Sequence, residues 1–322
     1  MTDTSVLEKM PLDPAKFCDP HVTADGVRRA SVKLARLATL WINTGTLCNI
    51  ECANCYIESS PTNDRLIYIS AEEVTRYLDE IEKHQLGTRK IALTGGEPFM
   101  NPECCAIIEG ALNRGFDVLV LSNAMQPMLR PPIRRSLLNV NAQFLERLTL
   151  RVSLDHYTKE FHEAKRGEGS WEKTLEGLRW LWENGFAVNV AGRTCWGETE
   201  GQAREGYAQL FAHEQIDIDA NHSAKLVLFP EIDKTVDVPE ITTGCWDLLG
   251  KNPDDMMCAT SRMVVKRKGA ASPVVVPCTL LPYGAKFEMG EHLVHAQGDV
   301  KLNHPHCGKF CVLGGGSCNI SD

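Results

Sequence analysis

From Leu37 onward, apolar β-prone runs alternate with stretches whose apolar residues recur every three or four positions. LATLWINTGT (37–46) is the first run and ends just before Cys48. Ser70 stands three residues before Glu73, a capping box in which each side chain receives the other's backbone N–H. Val74, Tyr77, Leu78 and Ile81 follow at i, i+3, i+4 and i+7, which predicts a helix. IALTGGEP supplies the next strand and turn. Asn101-Pro102 reads as the N-cap and first position of a helix reaching Gly115, and FDVLVLSNA is a buried-type strand. LTLRVSLDH is a fourth strand. Trp171 to Asn184 reads as a helix with Trp171, Leu175, Leu178 and Trp182 on its apolar face and a stop at Gly185. FAVNVAGRT, a helix over Gly201 to Gln215, and KLVLF complete the alternation.

Six strands alternating with helices predict an α/β fold of parallel β/α units, wound into a sheet or an incomplete barrel with its functional groups at the C-terminal strand ends. From about Pro230 the rhythm gives way to Pro-, Gly-, Cys- and His-rich sequence. This divides the chain into an N-terminal extension (1–36), a β/α core (37–230) and a cysteine-rich tail (231–322).

Composition narrows the function. The 322 residues are 43% hydrophobic and 24% charged, near globular averages. With 34 basic and 42 acidic residues the net charge is −8, which disfavours nucleic acid and anionic lipid as partners. No run is long and apolar enough to span a bilayer, and MTDTSVLEKMPLDP lacks the basic and apolar segments of a signal peptide, so a cytoplasmic location is expected. Thirteen cysteines in such a chain point to metal chemistry before disulfides.

Cys48, Cys52 and Cys55 form C-x3-C-x2-C directly after the first strand. Three thiolates neither complete a tetrahedral zinc site nor fully ligate an iron–sulfur cube. On a [4Fe–4S] cluster they would leave one iron open to a small molecule. Cys18, Cys104, Cys105, Cys195 and Cys245 lack ligand spacing and read as core residues. The short basic turn Arg89-Lys90 is a solvated connection, and the loop from Tyr56 to Tyr68 is placed to cover the first cysteine cluster.

CNIECANCY, with Tyr56 after the third cysteine, resembles the signature of the radical S-adenosylmethionine (radical SAM) superfamily. The resemblance continues through GGEP, LSNA and VSLD at successive strand ends. It implies a partial (β/α)6 TIM-like barrel in which Cys48, Cys52 and Cys55 hold a [4Fe–4S] cluster whose open iron binds SAM. It further implies reductive cleavage of SAM to a 5′-deoxyadenosyl radical that takes hydrogen from a substrate, with an electron donor such as a flavodoxin or ferredoxin. By motif, Gly95, Gly96 and Glu97 hold the SAM amino group, Tyr56 approaches the adenine, Ser122 or Asn123 contacts the ribose, and Ser153 meets the methionine end. Arg193 pairs with the SAM carboxylate or an acidic substrate, or is a structural ion pair.

In the tail, CATSRMVVKRKGAASPVVVPC (258–278) reads as a hairpin with a cysteine at each end, and HCGKFCVLGGGSC (306–318) adds three more. This resembles the twitch or SPASM extension of radical SAM enzymes and implies one auxiliary [4Fe–4S] cluster. Cys258, Cys278 and Cys318 are its first ligands, with Cys311 ahead of Cys307 as the fourth. A Zn(Cys)4 site is the alternative. A fully ligated cluster implies electron acceptance from a substrate radical, hence oxidation or cross-linking of substrate. Asp155, His156, His222 and Arg193 are the candidates for the accompanying proton acceptor. Residues 1–36 are short for a leader-binding domain, which favours a small-molecule substrate. The alternatives are a peptide-modifying enzyme, or a non-catalytic iron–sulfur electron carrier or scaffold.

Overall fold

In the computed structural model, which describes residues 10–231 and 233–317, the six strands form in chain order. They are β1 (Thr39–Asn43), β2 (Lys90–Thr94), β3 (Asp117–Ser122), β4 (Leu148–Ser153), β5 (Ala187–Thr194) and β6 (Leu226–Pro230). Each pairs in parallel with the next. Successive side chains point to opposite faces of a strand, so each run splits between two cores. Leu40, Ile42, Ile91, Leu93, Val118 and Val120 pack outward under the helices. Trp41, Ala92 and Leu119 point the other way, into the barrel.

The helices of eight residues or more are α1 (Ala71–His84), α2 (Cys104–Asn113), α3 (Pro131–Phe144), α4 (Lys159–Arg166), α5 (Ser170–Glu183) and α6 (Glu200–His213). The capping box of α1 forms as read: Glu73 N–H donates to Ser70 Oγ at 3.1 Å and Ser70 N–H to Glu73 Oε2 at 2.9 Å. Two details differ from the sequence reading. Asn101 does not cap α2, which begins three residues later after a short 3-10 turn at Pro98–Met100. Its Nδ2 instead donates to the carbonyls of Thr44 and Ile69, tying the loops after β1 and before α1 together. On α5 the buried face holds Trp171, Thr174, Leu175, Leu178 and Leu181, leaving Trp182 half-buried at its edge.

Beyond residue 230 the chain returns to the sheet. The hairpin read in the tail is β7 (Ser261–Val265) paired antiparallel with β8 (Val274–Val276). β7 lies parallel to β1, with Trp41 opposite Met263. The sheet order is β6-β5-β4-β3-β2-β1-β7-β8, a partial barrel whose two edge strands do not pair. Met263, Val265 and Val276 join Trp41, Ala92 and Leu119 in one inner core with Leu280, Phe310 and Val312. Barrel lumen and tail therefore share a single apolar interior. Ser31–Val32 pairs with Val300–Lys301, stitching the N-terminal segment to the tail. Among the described residues no helix is long and apolar enough to cross a membrane, and the twelve described cysteines are all free of disulfides.

Candidate active site at the barrel mouth

The C-terminal ends of β1 to β5 open onto one cavity. Cys48, Cys52, Cys55, Tyr56, Gly95, Gly96, Ser122, Asn123, Ser153 and Arg193 all line it. Glu97 lies just behind them, 2% exposed. The cysteine loop is positioned by its backbone: Cys48 N–H donates to Ser60 O at 3.0 Å and Ala53 N–H to Lys165 O, at the end of α4, at 2.7 Å. Burial pushes the Cys48 thiol up to about 12, and burial also raises Cys52, against a downward pull from Arg166. These thiols keep their protons at neutral pH unless a metal displaces them, which suits ligands that ionise on binding.

The GGE segment is pressed against the loop after β1. Gly96 N–H donates to Gly45 O at 2.8 Å and Glu97 N–H to Leu47 O at 3.2 Å. With those two donors spent, the carbonyl oxygens of the segment are the acceptors an ammonium needs. A Cβ on Gly96 would sit 2.1 Å from the Leu47 carbonyl oxygen. Gly96→Ala is therefore expected to push the cysteine loop aside and cost about 1–3 kcal/mol of stability, read by thermal unfolding together with iron uptake on reconstitution. Unchanged values of both would refute the close-approach argument.

Glu97 joins β2 to β3. Its carboxylate accepts from Ser122 Oγ at 2.9 Å, Asn123 N–H at 2.8 Å and Phe99 N–H at 3.2 Å. Burial nonetheless raises it to about 7, against the opposing hydrogen bonds. The Ser122 hydroxyl is thus engaged by Glu97, and the Asn123 amide donates to Asn49 Oδ1 at 2.8 Å. Tyr56 Oη lies 3.1 Å from Thr94 Oγ1 at the end of β2.

On the opposite wall, Arg166 from the end of α4 donates from Nε and Nη2 to the two oxygens of Asp155, each at 3.0 Å. Arg193 Nε lies 3.5 Å from the same carboxylate, and its buried Nη1 has no hydrogen-bond partner. Burial works to raise Asp155, but the two guanidiniums outweigh it and hold the carboxyl below its ordinary range. Arg166 had no sequence signal, since its partner lies eleven residues earlier across the β4–α4 connection.

The proton-acceptor candidates are corrected on this geometry. Asp155 is a committed ion-pair partner and a weak base. His156 does not line the cavity: it is held between Thr158 Oγ1 (2.8 Å) and Glu198 Oε1 (2.7 Å), against Tyr157, Phe161 and Trp196. His222 sits in the exposed turn before β6, beside a groove at the N-terminal strand ends with Asp117 and Thr149, the wrong end of the barrel. Arg193 remains at the mouth as a cation.

Residues 42–205 match the family model described as the radical SAM superfamily. The chain belongs to that superfamily. The cofactors of radical SAM proteins are a [4Fe–4S] cluster and SAM, which fit the open cysteine triplet and the acceptor-lined segment beside it. Among curated relatives, the antilisterial bacteriocin subtilosin biosynthesis protein AlbA of Bacillus subtilis is 30% identical over 45% of this chain and 30% of its own length. The GTP 3′,8-cyclase of Rhodococcus opacus is 27% identical over 54% of this chain and 50% of its own, and the mycofactocin maturase MftC of Mycobacterium tuberculosis 26% over 44% and 33%. The chain thus matches between 30% and 50% of these relatives' lengths. Among solved structures, Streptococcus suis SuiB bound to the precursor peptide SuiA superposes with a TM-score of 0.59 at 13% identity, covering 83% of this chain and 66% of that one. At that identity the likeness is one of fold.

The radical SAM barrel adjoins a second cysteine cavity. Cys258, Cys278, Cys307 and Cys311 line one small cavity with Met256, Met257, Leu280, Leu281, Val300 and Leu302. Cys307 and Cys311 sit four apart on a π-helical turn, Cys307–Leu313. Burial raises Cys258 to about 11 and Cys307 to about 12. Cys307 thus stands beside Cys311 in the cavity, and Cys318 lies outside the described residues. His304 and His306 do not line it; their rings face each other at 4.6 Å, and burial drives them down to about 3 and about 4, leaving both neutral. No three His, Cys, Asp or Glu side chains among the described residues converge as they would around a single ion.

Proposed function

We propose that this chain is a radical SAM oxidase or cross-linking enzyme that works with two iron–sulfur clusters. Cys48, Cys52 and Cys55 hold the first cluster, and Cys258, Cys278, Cys307 and Cys311 hold a second. A cluster with SAM bound supplies a carbon radical able to take a hydrogen atom from substrate. The protein's part is to bind, orient and keep water out. Gly95 and Gly96 offer carbonyl oxygens to the SAM ammonium, Arg193 offers its unpaired Nη1 to a carboxylate, and Ser153 and Tyr56 border the remainder of the ligand.

The observation that carries the reading is the common wall between the two cavities. Leu280 lines both, and Phe310, which lines the first, is the immediate neighbour of Cys311 in the second. A one-electron oxidant placed across one layer of side chains from the substrate favours net oxidation over a redox-neutral outcome. Residues 37–230 act as the catalytic barrel and 231–322 as the electron-accepting tail. A reducing cytoplasm suits its free thiols, and a flavodoxin- or ferredoxin-type donor supplies the electron that starts turnover.

For the substrate, relatives named for bacteriocin biosynthesis and mycofactocin maturation move the reading from a small molecule toward a peptide. Reconstituted protein is expected to carry about eight irons, falling to about four when Cys258, Cys278, Cys307 and Cys311 are all replaced by alanine. SAM-dependent 5′-deoxyadenosine release should persist in that variant while product oxidation stops. Zinc in place of the second four irons would overturn the two-cluster reading.

A further inference from the structure

Arg262 is one of three buried arginines among the described residues, with Arg29 and Arg151. It is 1% exposed. Its guanidinium is solvated by backbone carbonyls alone: Ala296 and Cys258 at 2.7 Å, Ser261 at 2.8 Å and Gly298 at 3.2 Å. Arg29, by contrast, faces Glu240, and the partly buried Arg166 faces Asp155. No carboxylate among the described residues forms an ion pair with Arg262. Carbonyl dipoles offset part of the cost of burying a charge but add no opposite charge, so the site is one anion short.

The groups that can supply the anion are the cysteines beside it. Arg262 bonds the carbonyl of Cys258, and Cys258 lines the tail cavity with Cys278, Cys307 and Cys311. The rest of that cavity is Met, Leu and Val. We propose that Arg262 is the built-in countercharge of an anionic metal–thiolate cluster in the tail cavity and sets its reduction potential. This rests on the reading that the four thiols hold a [4Fe–4S] cluster. Such a cluster is a dianion when oxidised and a trianion when it has gained one electron. A fixed cation stabilises the trianion more, raises the potential and suits the site to take an electron from a substrate radical, which is itself oxidised.

The test is a dithionite titration of the tail cluster followed by electron paramagnetic resonance. Full-length protein carrying Cys48→Ala, Cys52→Ala and Cys55→Ala is used so that only the tail cluster reports. Arg262→Gln is expected to make reduction at least tenfold less favourable, a shift of about 59 mV to lower potential for a one-electron couple. Arg262→Lys, which keeps the charge, should hold most of the parent value. Loss of tail iron in the glutamine variant alone also supports the countercharge. Equal potentials in all three proteins overturn it, as does an equal fall in both variants. Loss of tail iron from both, in chains that stay folded by circular dichroism, overturns it too, by assigning Arg262 to holding the carbonyls. Zinc or no iron in the parent tail defeats the underlying two-cluster reading first, before any potential is measured.

Discussion

Alanine at Cys48, Cys52 and Cys55 together is expected to lower SAM-dependent release of 5′-deoxyadenosine by at least about a thousandfold, about 4 kcal/mol at the rate-limiting step, with a loss of about four irons per chain. The three thiols line the mouth cavity, and because burial holds Cys48 near 12 and raises Cys52, those two would bind a metal only in exchange for their protons. The fold should survive. The loop is fastened by backbone bonds from Cys48 to Ser60, from Ala53 to Lys165 and from Thr46 to Leu66, all of which alanine keeps. Circular dichroism and the unfolding midpoint therefore separate a lost cluster from a lost fold. A folded triple variant that still cleaves SAM at the parent rate would remove the barrel-mouth assignment altogether.

The elements that carry this site were readable because each has a local cause. β1 to β6 are short β-branched and apolar runs, and the start of α1 is written in the reciprocal Ser70–Glu73 cap. What escaped has non-local causes. SRMVV reads as a strand, but no pattern within it says that its parallel partner is β1, more than two hundred residues earlier. That pairing puts the tail cysteines beside the barrel lumen. α4 buries only His162, so it has no apolar stripe to detect, yet it delivers Arg166 to Asp155. α3 was legible in principle, with Ile133, Leu137 and Val140 at helical spacing behind Pro131-Pro132. His222 was misplaced for a different reason: polarity marks a residue as able to titrate but not which end of a strand it occupies. The cysteine spacings likewise offered tail candidates without ordering them, because Cys307 and Cys311 come together on a π-turn that local propensity does not announce.

Asp155 is where fold and site are most tightly joined, and Asp155→Ala is expected to cost about 3–5 kcal/mol, the range for removing one partner of a buried ion pair. Two guanidiniums would then face each other beside the cavity, and Arg193, whose Nη1 already lacks a partner, would lose the carboxylate near its Nε. Affinity for SAM should fall with stability. Asp155→Asn separates charge from shape and has a pH signature. The carboxyl is held below its ordinary 3.8 in the folded chain, so its contribution is fully present above that value and lost as pH falls through the folded pKa. His162 behaves separately. Burial lowers it from 6.5 to about 3, so the unfolded chain gains a proton first and stability declines from about pH 6.5 downward in both proteins. Urea unfolding from pH 7 to pH 3 should therefore give two curves that decline together, with a constant gap that narrows only below about pH 4. A gap that narrows already near pH 6, or no gap at pH 7, would mean that the Arg166–Asp155 pair does not hold the wall of the cavity.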